Sequence, residues 1–140
     1  MFVNMKEIED ILTEANIHPT ANRITIYKAI QSLDSVFTLA DIEGYVETID
    51  RSTVFRILNI FLDNNLLFEI NDGTGSKKYC LCKYSSRNHN SHIHFTCTSC
   101  NKTYCIENIV EVPQICLPDS FKIQESNLLI KGICPNCNKV

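Results

Sequence analysis

Along the first sixty positions apolar residues recur at helical spacing. Ile8, Ile11, Leu12 and Ala15 fall three and four apart, and His18-Pro19 closes this first helix because the residue before a proline avoids the α region. Thr20 is suited to cap a second helix, whose Ile24, Tyr27, Ile30 and Leu33 form a stripe up to the break at Asp34-Ser35. Thr38 with Asp41 has the form of a capping box and predicts a short third helix turning Leu39, Ile42, Tyr45 and Val46 inward. Asp50 or Ser52 caps a fourth helix, with Val54, Ile57, Leu58, Phe61 and Leu62 as its buried side and Asn64-Asn65 as its stop.

After Asn65 the period changes. Leu66–Ile70 and Lys77–Cys82 have strand character, and the turn-rich Asn71-Asp72-Gly73-Thr74-Gly75 between them suits a β-hairpin. Four helices followed by a hairpin predict a winged helix over residues 1–83. The polar stretch from Ser85 to Ser91 reads as a linker, and strand-like His92–Thr96, Thr103–Ile106 and Phe121–Ile133 follow, alternating with turns. The expected fold class is α+β: an N-terminal winged helix and then a small, mostly β domain over 84–140. No internal repeat stands out beyond two Cys-x-x-Cys pairs.

Composition agrees with a folded, globular chain: of 140 residues, 44% are hydrophobic and 21% charged. No apolar run of about 18 residues is long enough to span a bilayer. The start MFVNMKEIEDILTEANI lacks the basic leader and long apolar segment of a signal peptide, so a cytosolic protein without a membrane partner is expected. Eight cysteines in such a chain point to metal ligands or redox groups, since cytosolic thiols are kept reduced. The net charge of −3 argues against a broadly basic nucleic-acid binder. Residues 1–83 carry 8 Lys/Arg against 12 Asp/Glu, so any DNA contact must come from a local basic patch.

Cys97-Thr98-Ser99-Cys100 and Cys134-Pro135-Asn136-Cys137 are the strongest chemical signal. Two thiolate pairs can close a tetrahedral Zn²⁺ cage with no open position, a structural site and not a catalytic one. The 33 residues between the pairs exceed a zinc-ribbon loop, so the metal would tie together two ends of a folded sheet. A redox pair would instead call for a thioredoxin-like βαβ setting, which the pattern lacks; two unrelated surface turns are the remaining reading.

His92-Ile93-His94, with His89 nearby, is the second constellation. Residues two apart in a strand share a face, so both imidazoles converge while Cys97, at odd offset from His94, points the other way. Two distinct metal sites follow, the second drawing on His92, His94, Cys105, Cys82 and His89. Sulfur with imidazole favours Zn²⁺ over Mn²⁺ or Mg²⁺. The third constellation is Arg51-Ser52-Thr53-Val54-Phe55-Arg56 at the start of the fourth helix, where free N–H groups meet phosphate and side chains reach base edges. Arg23, Lys28, Lys77 and Lys78 add positive points; the plainer reading is that Ser52 and Thr53 only cap.

Thr20-x-x-Arg23, Ser52-Thr53-Val54-Phe55-Arg56, His92-x-His94-x-x-Cys97-x-x-Cys100 and Gly132-Ile133-Cys134-x-x-Cys137 together resemble the ferric uptake regulator family over nearly the whole chain. The resemblance implies a homodimeric winged-helix repressor whose metal-loaded form binds a palindromic operator in double-stranded DNA, with a structural zinc in the four thiolates and a regulatory metal near the hinge between the halves. It implies neither enzymatic activity nor a small-molecule substrate, and no His-x-Glu or His-Glu-x-x-His string of a zinc enzyme is present.

Departures from the family pattern refine this expectation. Phe55 stands where a tyrosine is usual, so ring contact with a thymine methyl remains but the hydroxyl is lost. Val36-Phe37 stands where many members have a histidine, and Cys105 replaces an acidic ligand. A carboxylate suits Fe²⁺ or Mn²⁺ and a thiolate suits Zn²⁺, so the resemblance leans towards the zinc uptake regulators. Pro113 and Pro118 disfavour a helix that many members place in the dimer domain, and Cys80 and Cys116 are expected to be core thiols. The alternatives are an iron-, peroxide- or thiol-responsive regulator with only a structural zinc, and a plain zinc-ribbon module, which would leave the helical half unexplained.

Overall fold

The helices of the computed structural model, which describes residues 4–33, 36–73, 75–81, 93–106, 116–123 and 128–139, begin where local side chains can satisfy their first amides. Asn4 caps α1 (Met5–Glu14) and Glu7 reaches back to the Asn4 amide. In α2 (Ala21–Leu33) the Thr20 hydroxyl accepts from the Arg23 amide at 3.4 Å. Thr38 and Asp41 form the capping box of α3 (Leu39–Glu43), and Asp50 caps α4 (Arg51–Asp63). Positive φ at Asn16 and Asn65 lets the chain leave α1 and α4 in the left-handed region that asparagine tolerates.

The chain divides into two units, Met1–Ser86 and Arg87–Val140. In the first, Ile8 and Leu12 of α1, Ile26 and Ile30 of α2, Ile42 of α3, and Val54, Leu58 and Phe61 of α4 share one core. The rings of Tyr27 and Phe61 meet edge to face at 6.5 Å. β1 (Leu67–Ile70) and β2 (Lys78–Leu81) form an antiparallel hairpin, with Phe68 opposite Cys80. Phe37 adds a bridge to Tyr79 through reciprocal backbone bonds of 2.9 and 2.8 Å, and the two rings stack at 5.6 Å. All four residues of β2 are therefore buried, a coverage that the alternating pattern of a two-stranded wing does not anticipate.

In the second unit β3 (Ile93–Cys97) is the central strand, antiparallel to β4 (Thr103–Ile106) and parallel to β5 (Leu129–Gly132). The β3–β5 register sets Cys97 beside Gly132, two residues before Cys134. Gly132 has to be small: a Cβ there would lie 3.1 Å from Cζ of Phe95.

Three expectations change. Tyr45, expected to face inward, is 59% exposed beyond the end of α3. The long strand expected over Phe121–Ile133 is reduced to β5 among the described residues, with Phe121 and Ile123 exposed and outside any strand. Cys80 is buried as expected of a core thiol, but Cys116 is exposed. Pro113 lies outside the described residues, and Leu117 and Pro118 belong to no helix.

Candidate metal centre and nucleic-acid interface

β3 ends at Cys97, and a turn stabilised by the Asn101 amide on the Cys97 carbonyl (2.8 Å) returns the chain to β4 with Cys100 at its corner. A second turn follows β5, where the amides of Cys137 and Asn138 donate to the Cys134 carbonyl at 3.0 and 2.8 Å. The Thr98 amide and hydroxyl both donate to the Gly132 carbonyl and lock the two turns side by side. Cys97, Cys100, Cys134 and Cys137 thereby present four sulfurs within 4.8 Å of one another. A tetrahedral cage with metal–sulfur bonds of about 2.3 Å has edges of about 3.8 Å. The Cys100–Cys134 sulfur separation is 3.8 Å, so the donor set fits such a metal.

Cys97 and Cys134 are fully buried, while Cys137 is half-buried and Cys100 exposed. The cluster is prepared for negative charge. Backbone amides of Cys134 (3.4 Å) and Cys100 (3.5 Å) point at the Cys97 sulfur and lower its thiol to about 6. The Tyr104 hydroxyl lowers Cys134 by donating to it, and the same bond pushes the phenol up to about 12. Cys137, hydrogen-bonded to Cys134, is pushed up to about 12, and a binding cation would have to displace its proton.

On the other face of β3, His94 stands directly opposite Cys105 of β4. Odd offset places these two on one side of the sheet, and Phe95, Cys97 and Tyr104 on the other. His92, His89 and Cys82 lie outside the described residues.

Arg51 and Phe55, and Ser52 and Arg56, are each one turn apart on α4, and all four are exposed, with Phe55 at 43%. The Lys77 ammonium sits 5.9 Å from the centre of the Phe55 ring and 3.6 Å from Glu69. Arg51 also pairs with Glu43 at 3.2 Å, leaving a largely exposed guanidinium. The Ser52 and Thr53 hydroxyls both bond the Asp50 carboxylate, Ser52 first in effect, and hold its pKa down to about 2. Both are thus engaged in capping, and the cationic contacts available from α4 come from Arg51 and Arg56.

Lys28 is exposed on α2, whereas Arg23 is half-buried and donates to the His18 carbonyl at 2.9 Å. Lys78 is a correction to the expected wing contacts: it is buried and paired with the fully buried Asp72, because both faces of β2 are covered. The sequence reading missed Tyr104. Only the β3–β4 register and the turn after β5 bring it to Cys134, and neither is visible in spacing.

A winged helix carried on the same chain as a four-thiol metal centre defines a metal-dependent DNA-binding regulator. Residues 14–131 match the Ferric uptake regulator family, and the chain belongs to it. It is similar to the ferric uptake regulation protein of Campylobacter jejuni, with 26% identity covering 97% of this chain and 89% of that protein. It is also similar to the peroxide operon regulator of Bacillus subtilis, with 27% identity covering 94% and 79%. Among solved structures, a zinc uptake regulator complexed with zinc and DNA has the same fold, with a TM-score of 0.66, 15% identity and coverage of 95% and 91%. The chain is a metal-responsive transcription regulator and not an enzyme. Among the described residues no helix is long and apolar enough to cross a membrane.

Proposed function

We propose that the protein is a zinc-responsive repressor that binds palindromic operator DNA as a homodimer. One zinc sits permanently in Cys97, Cys100, Cys134 and Cys137, and a second, exchangeable zinc reports the metal supply. The observation that carries the sensing half of this reading is the cross-strand pair His94–Cys105, an imidazole facing a thiol on the side of β3 away from the cage. A thiolate in that position selects a softer cation than a carboxylate would. Further ligands are proposed from His92, with His89 as a substitute, and from Cys82.

The zinc-loaded protein is the DNA-competent form. α4 enters the major groove with Arg51 and Arg56 towards the phosphates and Phe55 towards a thymine methyl, and Lys77 and Lys28 add charge at the edge. Two copies place their recognition helices about one helical turn of DNA apart. Moving such a switch from mostly off to mostly on requires about 10⁴-fold tighter metal binding by the competent state. Alanine at His94 and Cys105 is therefore expected to abolish the zinc dependence of DNA binding while one zinc per chain is retained. The second reading, favoured by the names of the C. jejuni and B. subtilis relatives, is an iron- or peroxide-responsive regulator with structural zinc only. In that case zinc content never exceeds one per chain, and DNA binding follows Fe²⁺ or peroxide.

A further inference from the structure

The cage has an outer layer on β4 that metal-ligand spacing does not reveal. Tyr104 faces Phe95 across the sheet, and Phe95 shares its side of β3 with Cys97, so the phenol lies on the cage side. Its hydroxyl donates to the Cys134 sulfur. The ammonium of Lys102, an exposed side chain, stands 5.0 Å from the centre of the Tyr104 ring. The carbonyl of Lys102 accepts the Cys97 amide at 2.9 Å, so the same short strand entrance touches both fully buried ligands of the cage.

Four thiolates around a divalent cation carry two net negative charges in a pocket where two sulfurs are shut away from water. Backbone amides serve Cys97. For Cys134 the leading donor is the Tyr104 hydroxyl, ahead of the Cys137 amide, and this side-chain donor can be removed by substitution without disturbing the backbone. A cation over the phenol ring draws electron density from it and strengthens the O–H as a donor. Hydrogen bonds from outside the ligand shell set how firmly the sulfur donates and how readily the metal leaves.

We propose that Tyr104, with Lys102 above its ring, is a positioning pair that holds the Cys134 thiolate in the cage and sets the rate at which the structural zinc is released. This rests on the four-thiolate zinc reading given above. Outer-layer substitutions at metal sites typically cost about 10–100-fold in metal affinity or activity. Tyr104→Phe removes only the hydroxyl and keeps the ring beneath Lys102, and Lys102→Gln changes an exposed side chain and keeps the hydroxyl.

The experiment measures zinc per chain in the full-length wild-type protein and both variants, and then times transfer of that zinc to the chromophoric chelator 4-(2-pyridylazo)resorcinol. The expected result is release about tenfold faster from Tyr104→Phe and a few-fold faster from Lys102→Gln. With Co²⁺ in the cage, the sulfur-to-metal charge-transfer band is expected to move to lower energy in both, more so in Tyr104→Phe. A wild-type chain that carries no tightly held zinc overturns the cage reading and this inference with it. Zinc present but released equally fast from all three proteins overturns this inference alone. Faster release with an unmoved cobalt band also overturns it, since general loosening of the sheet then explains the change. Should Tyr104→Phe fail to fold, Lys102→Gln decides by the same two readouts.

Discussion

The two units bury different things. In the first, the fully buried side chains are large and apolar: Ile8, Leu12, Ile26, Phe37, Ile42, Leu58, Phe61 and Leu67 close on one core. In the second, the buried residues among those described are Cys97, Cys134, Thr96 and Thr103, while Ile106, Leu117, Phe121, Ile123, Leu128, Ile130 and Ile133 are exposed. The Thr96 and Thr103 hydroxyls bond each other at 2.9 Å, so even the buried polar pair is internally satisfied. Units of this size often add a staple, such as a structural metal, to what apolar burial supplies. The lesson is a division of labour: the first unit is held by apolar packing, whereas the second buries few apolar side chains and gathers four thiols in a cluster that fits a metal.

The largest expected effect separates the two kinds of stability. Cys97→Ser or Cys134→Ser opens the cage, and structural zinc in isolated finger peptides is worth about 10–16 kcal/mol. Amides of β3, β4 and β5 are then expected to lose hydrogen-exchange protection while α1, α2 and α4 keep theirs. Equal loss in both halves would mean that the first unit depends on the metal as well. The converse substitution is Phe61→Ala, expected to cost about 3–5 kcal/mol in the first unit through the cavity it leaves. Zinc content of that variant, measured on folded protein, should not fall.

Asp72→Asn tests a polar exception within the packed half. It leaves the Lys78 ammonium buried without its carboxylate, and breaking a buried pair in this way costs about 3 kcal/mol or more. Denaturant titration that shows no change would place Lys78 back among the free cations of the wing.

The smallest effect is a pH dependence. Asp50 titrates near 2 in the folded chain against an ordinary value of 3.8, its Ser52 and Thr53 hydroxyl bonds favouring the charged form. A lowered folded value means that the cap stabilises fully above about pH 4 and that this contribution disappears as the pH falls through about 2. The melting temperature of Asp50→Asn is expected to lie slightly below that of the wild type at pH 5, with the gap closing towards pH 2. A constant gap would show that the charge of Asp50 contributes nothing to α4.

What the sequence made legible was local. Thr38 with Asp41, Asp50 before α4, the helical stripes and the two Cys-x-x-Cys pairs each lie within a few residues, and their chemistry does not wait on tertiary structure. The parity argument that separates His94 from Cys97 also needs only a strand. What was not legible depends on pairing between distant segments. Phe37 bridging Tyr79 covers β2 and buries Lys78, which the hairpin pattern alone would leave exposed. Tyr45 has the spacing of a core residue, but α3 stops at Glu43, so the helical period no longer applies to it. Tyr104 reaches Cys134 through a parallel β3–β5 register that no short-range signal encodes.

The most direct test is a titration of DNA binding against buffered free zinc, using the full chain with its cage metal in place and a duplex selected by the protein from a random pool. Affinity is expected to rise steeply with free zinc in the wild type as metal content climbs from one to two per chain, and to stay low and flat when His94 and Cys105 are both alanine. Wild-type binding that ignores zinc, with content fixed at one per chain, would contradict the zinc-sensing reading.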